Sequence, residues 1–543
     1  MKRHDLRVST AAVAAVVAAT LSWGSVASAQ AVPGGTLDPL VIPKYVTPLV
    51  IPPVMKDAAG DNSTNDYNIA VRQFQQQIWP GGVWNALSPA CQNPDGTPNG
   101  ICNLPPTTVW SYGPADDPLP DSSGIGGGAG IAPAINSQFN YPAYTVENTT
   151  HVTTTVDWIN DLVVDPWPDP ANPAKVLNRN YLSHLLPIDR TLHWANPEQA
   201  PCVAEANLEQ GSLYQTDCRP DPAANTAEFL ATPYDGPVPV IVHVHGAHVG
   251  PESDGYPEAW YLPDADNIPT GFAPQGRLVN QYGAPTNTAP GVASFSYPNT
   301  QPSTTLWYHD HTLGMTRNNV YAGPAGFWLV RDANGGEDGV IAPTVLPSPA
   351  PVAGEDLVET NVTGRHKYRE IPIVIQDRAF NADGSLFYPA NRAFFEGLGD
   401  GQTAGTPGNI AAGLNIPFFG EGNSDIAPIW NPEAFFNVMV VNGVSWPELE
   451  VAPAIYRFRL LNGSNSRFLN LILQQTDDKG RNKGELPFYQ IGAEQSVLPQ
   501  VVRIETGFAT LLPGDGSNIK KNQPDCLNKK GKPVGGSVVA AAA

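Results

Sequence analysis

The chain is 543 residues long, with 51 glycines, 56 prolines and only 15% charged residues. That much proline and glycine excludes a protein built on long helices, and a 41% hydrophobic share excludes a largely disordered one. A formal net charge of −21 excludes attachment to nucleic acid or to an anionic membrane by charge, and favours a small-molecule or metal partner.

Residues 1–29 read as a secretory signal. Lys2, Arg3 and Arg7 precede the apolar run Ala11 to Leu21, and Ala27-Ser28-Ala29 has the small-x-small cleavage pattern. The run is too short for a membrane anchor, which needs about 20 apolar residues. The expected location is therefore secreted or periplasmic. Residues 30–335 form a first strand-rich region, extended and Pro-rich at its start. Within it, the β-branched run from His151 to Trp158 predicts a strand. Two stretches, Cys91–Gly130 and Cys202–Thr232, are rich in Asn, Asp, Pro and Gly and predict surface loops. Cys91 and Cys102 lie close in sequence, as do Cys202 and Cys218, and an oxidising compartment allows both pairs to bridge. Four free thiols are the alternative.

Residues 336–360 predict a linker, and 361–543 a second strand-rich region. Its strands are expected at Ile371–Ile375, Phe436–Gly443 and Tyr456–Asn462. In the last of these, apolar and basic residues alternate, as in a half-buried strand. Nothing in the Lys-rich stretch from Lys520 to Lys532 reads as a closing strand or a helical cap.

Chemistry concentrates in the histidines, of which there are ten. Pro239-Val240-Ile241-Val242-His243-Val244-His245-Gly246 is a β-branched lead-in to a His-x-His pair, and Leu306-Trp307-Tyr308-His309-Asp310-His311 carries a second. Side chains on a strand repeat every two residues, so each pair shares one face. Two such strands side by side would present four imidazoles to one space, a donor set that suits copper, zinc, iron or nickel. Alone, one pair reads equally well as two ordinary histidines on a half-exposed strand. His248 follows a glycine and reads as loop; His4 lies in the signal; His151, His184, His193 and His366 stand singly and read as structural.

The flanks extend the pattern. They include Asp254-Gly255-Tyr256-Pro257-Glu258-Ala259-Trp260, Thr316-Arg317-Asn318-Asn319-Val320-Tyr321-Ala322-Gly323, His184-Leu185-Leu186-Pro187-Ile188-Asp189-Arg190, Asp383-Gly384-Ser385-Leu386-Phe387-Tyr388-Pro389 and Val441-Asn442-Gly443-Val444-Ser445-Trp446-Pro447. Over most of residues 40–510 the chain resembles the bacterial multicopper oxidases: spore-coat laccases, bilirubin oxidases and phenoxazinone synthase. The resemblance implies cupredoxin-like Greek-key β-sandwiches and copper as cofactor. It also implies oxidation of phenolic or similar substrates, or of metal ions, coupled to reduction of O2 to water. By position, His243 would serve a type-2 copper, and His245, His309 and His311 a type-3 pair. Asp254 would be an acid beside the dioxygen and proton path; it also suits a turn before Gly255.

The sequence departs from that family in one respect. The remaining cluster ligands and the type-1 site come in the family from a third sandwich, on a His-Pro-x-His-x-His strand and a His-Cys-His segment. Neither motif occurs: no histidine follows His366, and Cys526 has no histidine beside it. The expectation is an all-β chain with one complete sandwich (domain 30–335), an incomplete second (361–543) and the third absent. It would hold the domain-one half of a trinuclear copper site and be inactive alone. A catalytically inactive copper-binding fragment, and a split enzyme completed by a separate C-terminal cupredoxin domain, are the alternatives.

Overall fold

The computed structural model describes residues 37–504 except 53, 61–63, 117–138, 165–166, 170–171, 178, 191, 203–214, 219–220, 222–223, 226–231, 233, 283–288, 333–367, 389–435, 450, 452–454, 478 and 495. The signal at 1–29, the linker at 336–360, His4, His366 and Cys526 lie outside the described residues.

The first region is a two-sheet sandwich. Its strands are β1 (Asp66–Gln76), β2 (Thr107–Pro114), β3 (Ala143–Thr149), β4 (Thr154–Asn160), β5 (Trp167–Asp169), β6 (Asn172–Leu177), β7 (Val242–His245), β8 (Val292–Tyr297), β9 (Thr304–Asp310) and β10 (Ala325–Arg331). One sheet runs β2-β1-β4-β8 and the other β3-β10-β9-β7, with β5-β6 a separate hairpin. The pairs β1–β4 and β3–β10 are parallel, and the other pairs in these two sheets are antiparallel. Aromatic rings close the space between the sheets. Tyr308 of β9 lies 5.4 Å from both Tyr112 of β2 and Trp158 of β4, and Trp328 of β10 lies 4.7 Å from Tyr297 of β8. All five are buried, and burying each contributes about 1.5–3 kcal/mol. Three of the five have hydrogen-bonded polar tips: Trp158 Nε1 donates to Tyr297 Oη at 3.1 Å and Tyr308 Oη to the Tyr144 carbonyl at 2.7 Å.

The second region is a four-stranded sheet of β11 (Tyr368–Arg378), β12 (Val438–Val441), β13 (Val444–Ser445) and β14 (Ile455–Asn462), in the order β13-β12-β11-β14. It packs on the outer face of β10: Phe327 and Leu329 are buried against Val374. Both faces of β10 are therefore covered, which is why its sequence, Ala-Gly-Phe-Trp-Leu-Val-Arg, is apolar nearly throughout and does not alternate. Two hairpins follow, β15 (Leu473–Thr476) with β16 (Asn482–Leu486) and β17 (Phe488–Ala493) with β18 (Ser496–Ile504). No described helix is long and apolar enough to cross a membrane.

Three sequence expectations change. The run His151–Trp158 is not one strand: His151 sits at φ 63 in a turn between β3 and β4, its N–H held by the Asn299 carbonyl at 2.8 Å. The stretch Cys91–Gly130 is not all surface loop, because Thr107-Thr108-Val109-Trp110-Ser111-Tyr112 forms most of β2, buried and paired along β1. In β14 the buried face is the basic one. Arg457 and Arg459 point inward while Phe458 is 46% exposed. The reason is Glu370 of β11, fully buried, which pairs with both of them and with Arg331 of β10 at 3.0 Å. Both disulfides form, Cys91–Cys102 and Cys202–Cys218, with Cα separations of 5.5 and 5.8 Å.

Candidate metal centre

The two His-x-His pairs occupy adjacent strands. β7 pairs antiparallel with β9 in the register Val242↔Asp310, His243↔His309, Val244↔Tyr308 and His245↔Trp307. Val242, Val244 and Tyr308 face the core, so the pleat turns His243, His245, Trp307 and His309 to the opposite face. His311 lies just past the end of β9, its N–H bonded to the Ile241 carbonyl at 2.7 Å. One ligand atom each of His243, His245 and His309 lies within 4.8 Å of the others. The His311 ring stacks on His243 with centroids 4.7 Å apart, 5.8 Å from His309.

Backbone carbonyls fix the tautomers. His243 Nδ1 meets the Asp254 carbonyl at 2.5 Å, His309 Nδ1 the Asp310 carbonyl at 2.7 Å and His311 Nδ1 the Gly255 carbonyl at 2.9 Å. A carbonyl only accepts, so each Nδ1 carries the hydrogen and each Nε2 keeps its lone pair. His245 turns its own Nδ1 toward His309 Nε2, 3.4 Å away. Burial pushes His309 down to about 3 and lowers His245 and His311, with the neighbouring His243 lowering them further. Neutral imidazole is the form that binds metal. The Trp307 ring lies 4.2 Å from His309 and 5.5 Å from His245, bracing both.

The turn after β7 supplies two of those carbonyls and depends on Gly255. Its φ is +77, and a Cβ there would sit 2.1 Å from the Val242 carbonyl oxygen. The Asp254 carboxylate stands at the rim of the centre, with Oδ1 3.4 Å from His243 Nδ1 and the side chain 48% exposed.

The single histidines fall elsewhere. His248 is an exposed loop residue whose N–H bonds Gln301 Oε1 at 2.9 Å. His193 Nε2 bonds the Asp217 carbonyl at 2.8 Å. His184 is half-buried, its imidazole driven down to about 4 by desolvation, and bonds Asn319 Oδ1 at 2.9 Å. Sequence reasoning missed Asp310 and Asn319, which lie behind the centre. The available signal was an acid between two histidines, which strand alternation puts on the face opposite theirs.

Two curated laccases are similar in sequence: that of Bacillus stratosphericus is 30% identical over 329 residues, and that of Bacillus subtilis (strain 168) 25% identical over 467. Multicopper oxidase LPR1 homolog 1 of Oryza sativa subsp. japonica is 32% identical over 282 residues, 52% of this chain and 34% of its own length. These sequence relatives are laccases and multicopper oxidases, to which the chain is similar over half or more of its length. The first region is a two-sheet β-sandwich, in keeping with the all-β fold that the sequence implied. The match takes in 61% of the chain and 43% of the first laccase, and 86% of the chain and 57% of the second. The chain thus spans about half the length of the curated relatives it matches. Among solved structures, a laccase from Pediococcus acidilactici is similar over 86% of this chain and 54% of its own, at 16% identity and a TM-score of 0.39. McoA multicopper oxidase from Aquifex aeolicus is similar over 84% and 53%, at 15% identity and a TM-score of 0.38. No protein-family model matches the chain.

Proposed function

We propose that this chain carries the dioxygen-side histidines of a laccase-type oxidase, which couples one-electron oxidation of phenolic compounds or metal ions to reduction of O2 to water. One observation carries the reading: three imidazoles converge within 4.8 Å, and carbonyls hold the rings of His243 and His309 with Nε2 unprotonated. That donor set fits copper. His243, His245 and His309 would hold the ion, with His311 beside them. Copper, when bound, supplies one-electron redox chemistry at a face open to dioxygen.

The chain's own residues do the rest. The Asp254–Gly255 turn orients two rings, and Trp307 packs against two others and excludes water from that side. Reduction of O2 consumes protons, and the half-exposed Asp254 carboxylate, 3.4 Å from His243 Nδ1, is placed to pass them from solvent. A type-1 copper needs a His2Cys set, and no cysteine in the sequence has a histidine beside it, so the reading assigns electron uptake to a further cupredoxin domain. The two disulfides support a secreted or periplasmic setting. The test is metal analysis after Cu(II) loading and exhaustive dialysis. Wild type should retain copper, and His243→Ala/His309→Ala should not. A wild type that comes through copper-free contradicts the reading.

A further inference from the structure

We propose that Asp310 is the positioning residue of the centre: its carboxylate fixes the two histidine pairs against each other, and Asn319 and His184 hold that carboxylate in place. The inference rests on the reading of the histidines as a copper site. Asp310 sits between His309 and His311 in sequence, but the pleat sends its side chain the other way, onto the core face with Tyr308, where it is fully buried. Each carboxylate oxygen accepts two hydrogen bonds. Oδ1 takes Thr312 N at 3.0 Å and Asn319 Nδ2 at 2.9 Å; Oδ2 takes Thr312 Oγ1 at 3.0 Å and Ile241 N at 3.3 Å.

These donors belong to different parts of the centre. Ile241 leads into β7, the strand of His243 and His245, and its carbonyl in turn accepts the N–H of His311. Thr312 follows His311 directly. One carboxylate therefore ties the start of β7 to the end of β9 at the level of the histidines. The tie matters because β7 is four residues long and lies at the sheet edge, paired among the described strands with β9 alone. Its placement rests on few bonds, so losing one at this end moves both of its histidines.

Behind the carboxylate stands Asn319, buried on the helix Thr316–Ala322. Its Nδ2 also donates to the Pro239 carbonyl at 3.1 Å, and its Oδ1 faces His184 Nε2 at 2.9 Å. His184 Nδ1 accepts from Leu186 N at 2.9 Å, so the ring hydrogen lies on Nε2 and donates to Asn319. The amide of Asn319 is thereby fixed with its donor toward Asp310. His184, structural by sequence, acquires a specific task. Outer-shell partners of this kind alter metal affinity about 10–100-fold when removed.

The test uses the full chain. Cu(II) affinity and the electron paramagnetic resonance spectrum of the bound ion are measured for wild type, Asp310→Asn, Thr312→Val and Glu370→Gln. Asp310→Asn should weaken binding about tenfold or more and shift the copper hyperfine pattern. Thr312→Val, which removes one donor and keeps the shape, should shift both in the same direction by less, and it decides the matter should Asp310→Asn not fold. Glu370→Gln disturbs a buried carboxylate at the other end of β10 and should leave both unchanged. A folded Asp310→Asn with wild-type affinity and spectrum overturns the inference. So does an equal spectral change in Glu370→Gln, which would mean general loosening. A wild type that binds no copper refutes the copper reading itself, and the inference with it.

Discussion

Two carbonyls from one turn decide which nitrogen His243 and His311 offer to a metal, and Gly255 makes that turn. Gly255→Ala meets two penalties, a left-handed backbone and a Cβ 2.1 Å from the Val242 oxygen. Gly271→Ala, at φ +97 with nothing within 4 Å, meets only the first, about 1–2 kcal/mol. Denaturant unfolding of the two variants should show Gly255→Ala the less stable, and calorimetry should show it alone weakened in Cu(II) binding. Asp217 gives a pH signature. It is buried between Trp260 Nε1 at 2.5 Å and Arg277 N at 3.0 Å, yet burial outweighs these donors and pushes its carboxyl from the ordinary 3.8 up to about 6. The folded state then prefers the protonated acid, so stability falls as pH rises from about 4 through about 6. Asp217→Asn should flatten that part of the stability–pH curve. An unchanged curve would mean that Asp217 titrates normally in the fold.

At the scale of elements, the histidine strands were legible because a His-x-His spacing and a β-branched lead-in both have period two. Asp310 was not, because spacing tells which residues share a face and not which face meets the core. The same limit explains β14. Its alternation was read correctly, but Glu370, distant in sequence, draws Arg457 and Arg459 inward and leaves Phe458 outside. β2 was hidden inside a stretch whose Asn, Pro and Gly content dominated a strand of β-branched and aromatic residues. The Glu370 cluster also fastens the second sheet to the first sandwich, since Arg331 of β10 bonds both Glu370 at 3.0 Å and Glu147 of β3 at 2.8 Å. Glu370→Gln leaves buried guanidinium groups short of charge and should cost about 3–5 kcal/mol in denaturant unfolding. A loss under about 1 kcal/mol would show that the arginines reach water instead.

For the whole molecule, labour divides between what the 543 residues contain and what they lack. They contain a two-sheet β-sandwich with imidazoles converging on one face. They lack a cysteine flanked by histidines, so the copper-loaded chain should show no intense blue absorption; a strong thiolate-to-copper band would contradict this. The central claim is that the two His-x-His pairs form one copper centre. Calorimetric titration of Cu(II) into wild type, His245→Ala, His309→Ala and His248→Ala tests it most directly. The account predicts clear weakening in His245→Ala and His309→Ala and wild-type affinity in His248→Ala, whose side chain lies in an exposed loop. Equal affinity in all four proteins would contradict it.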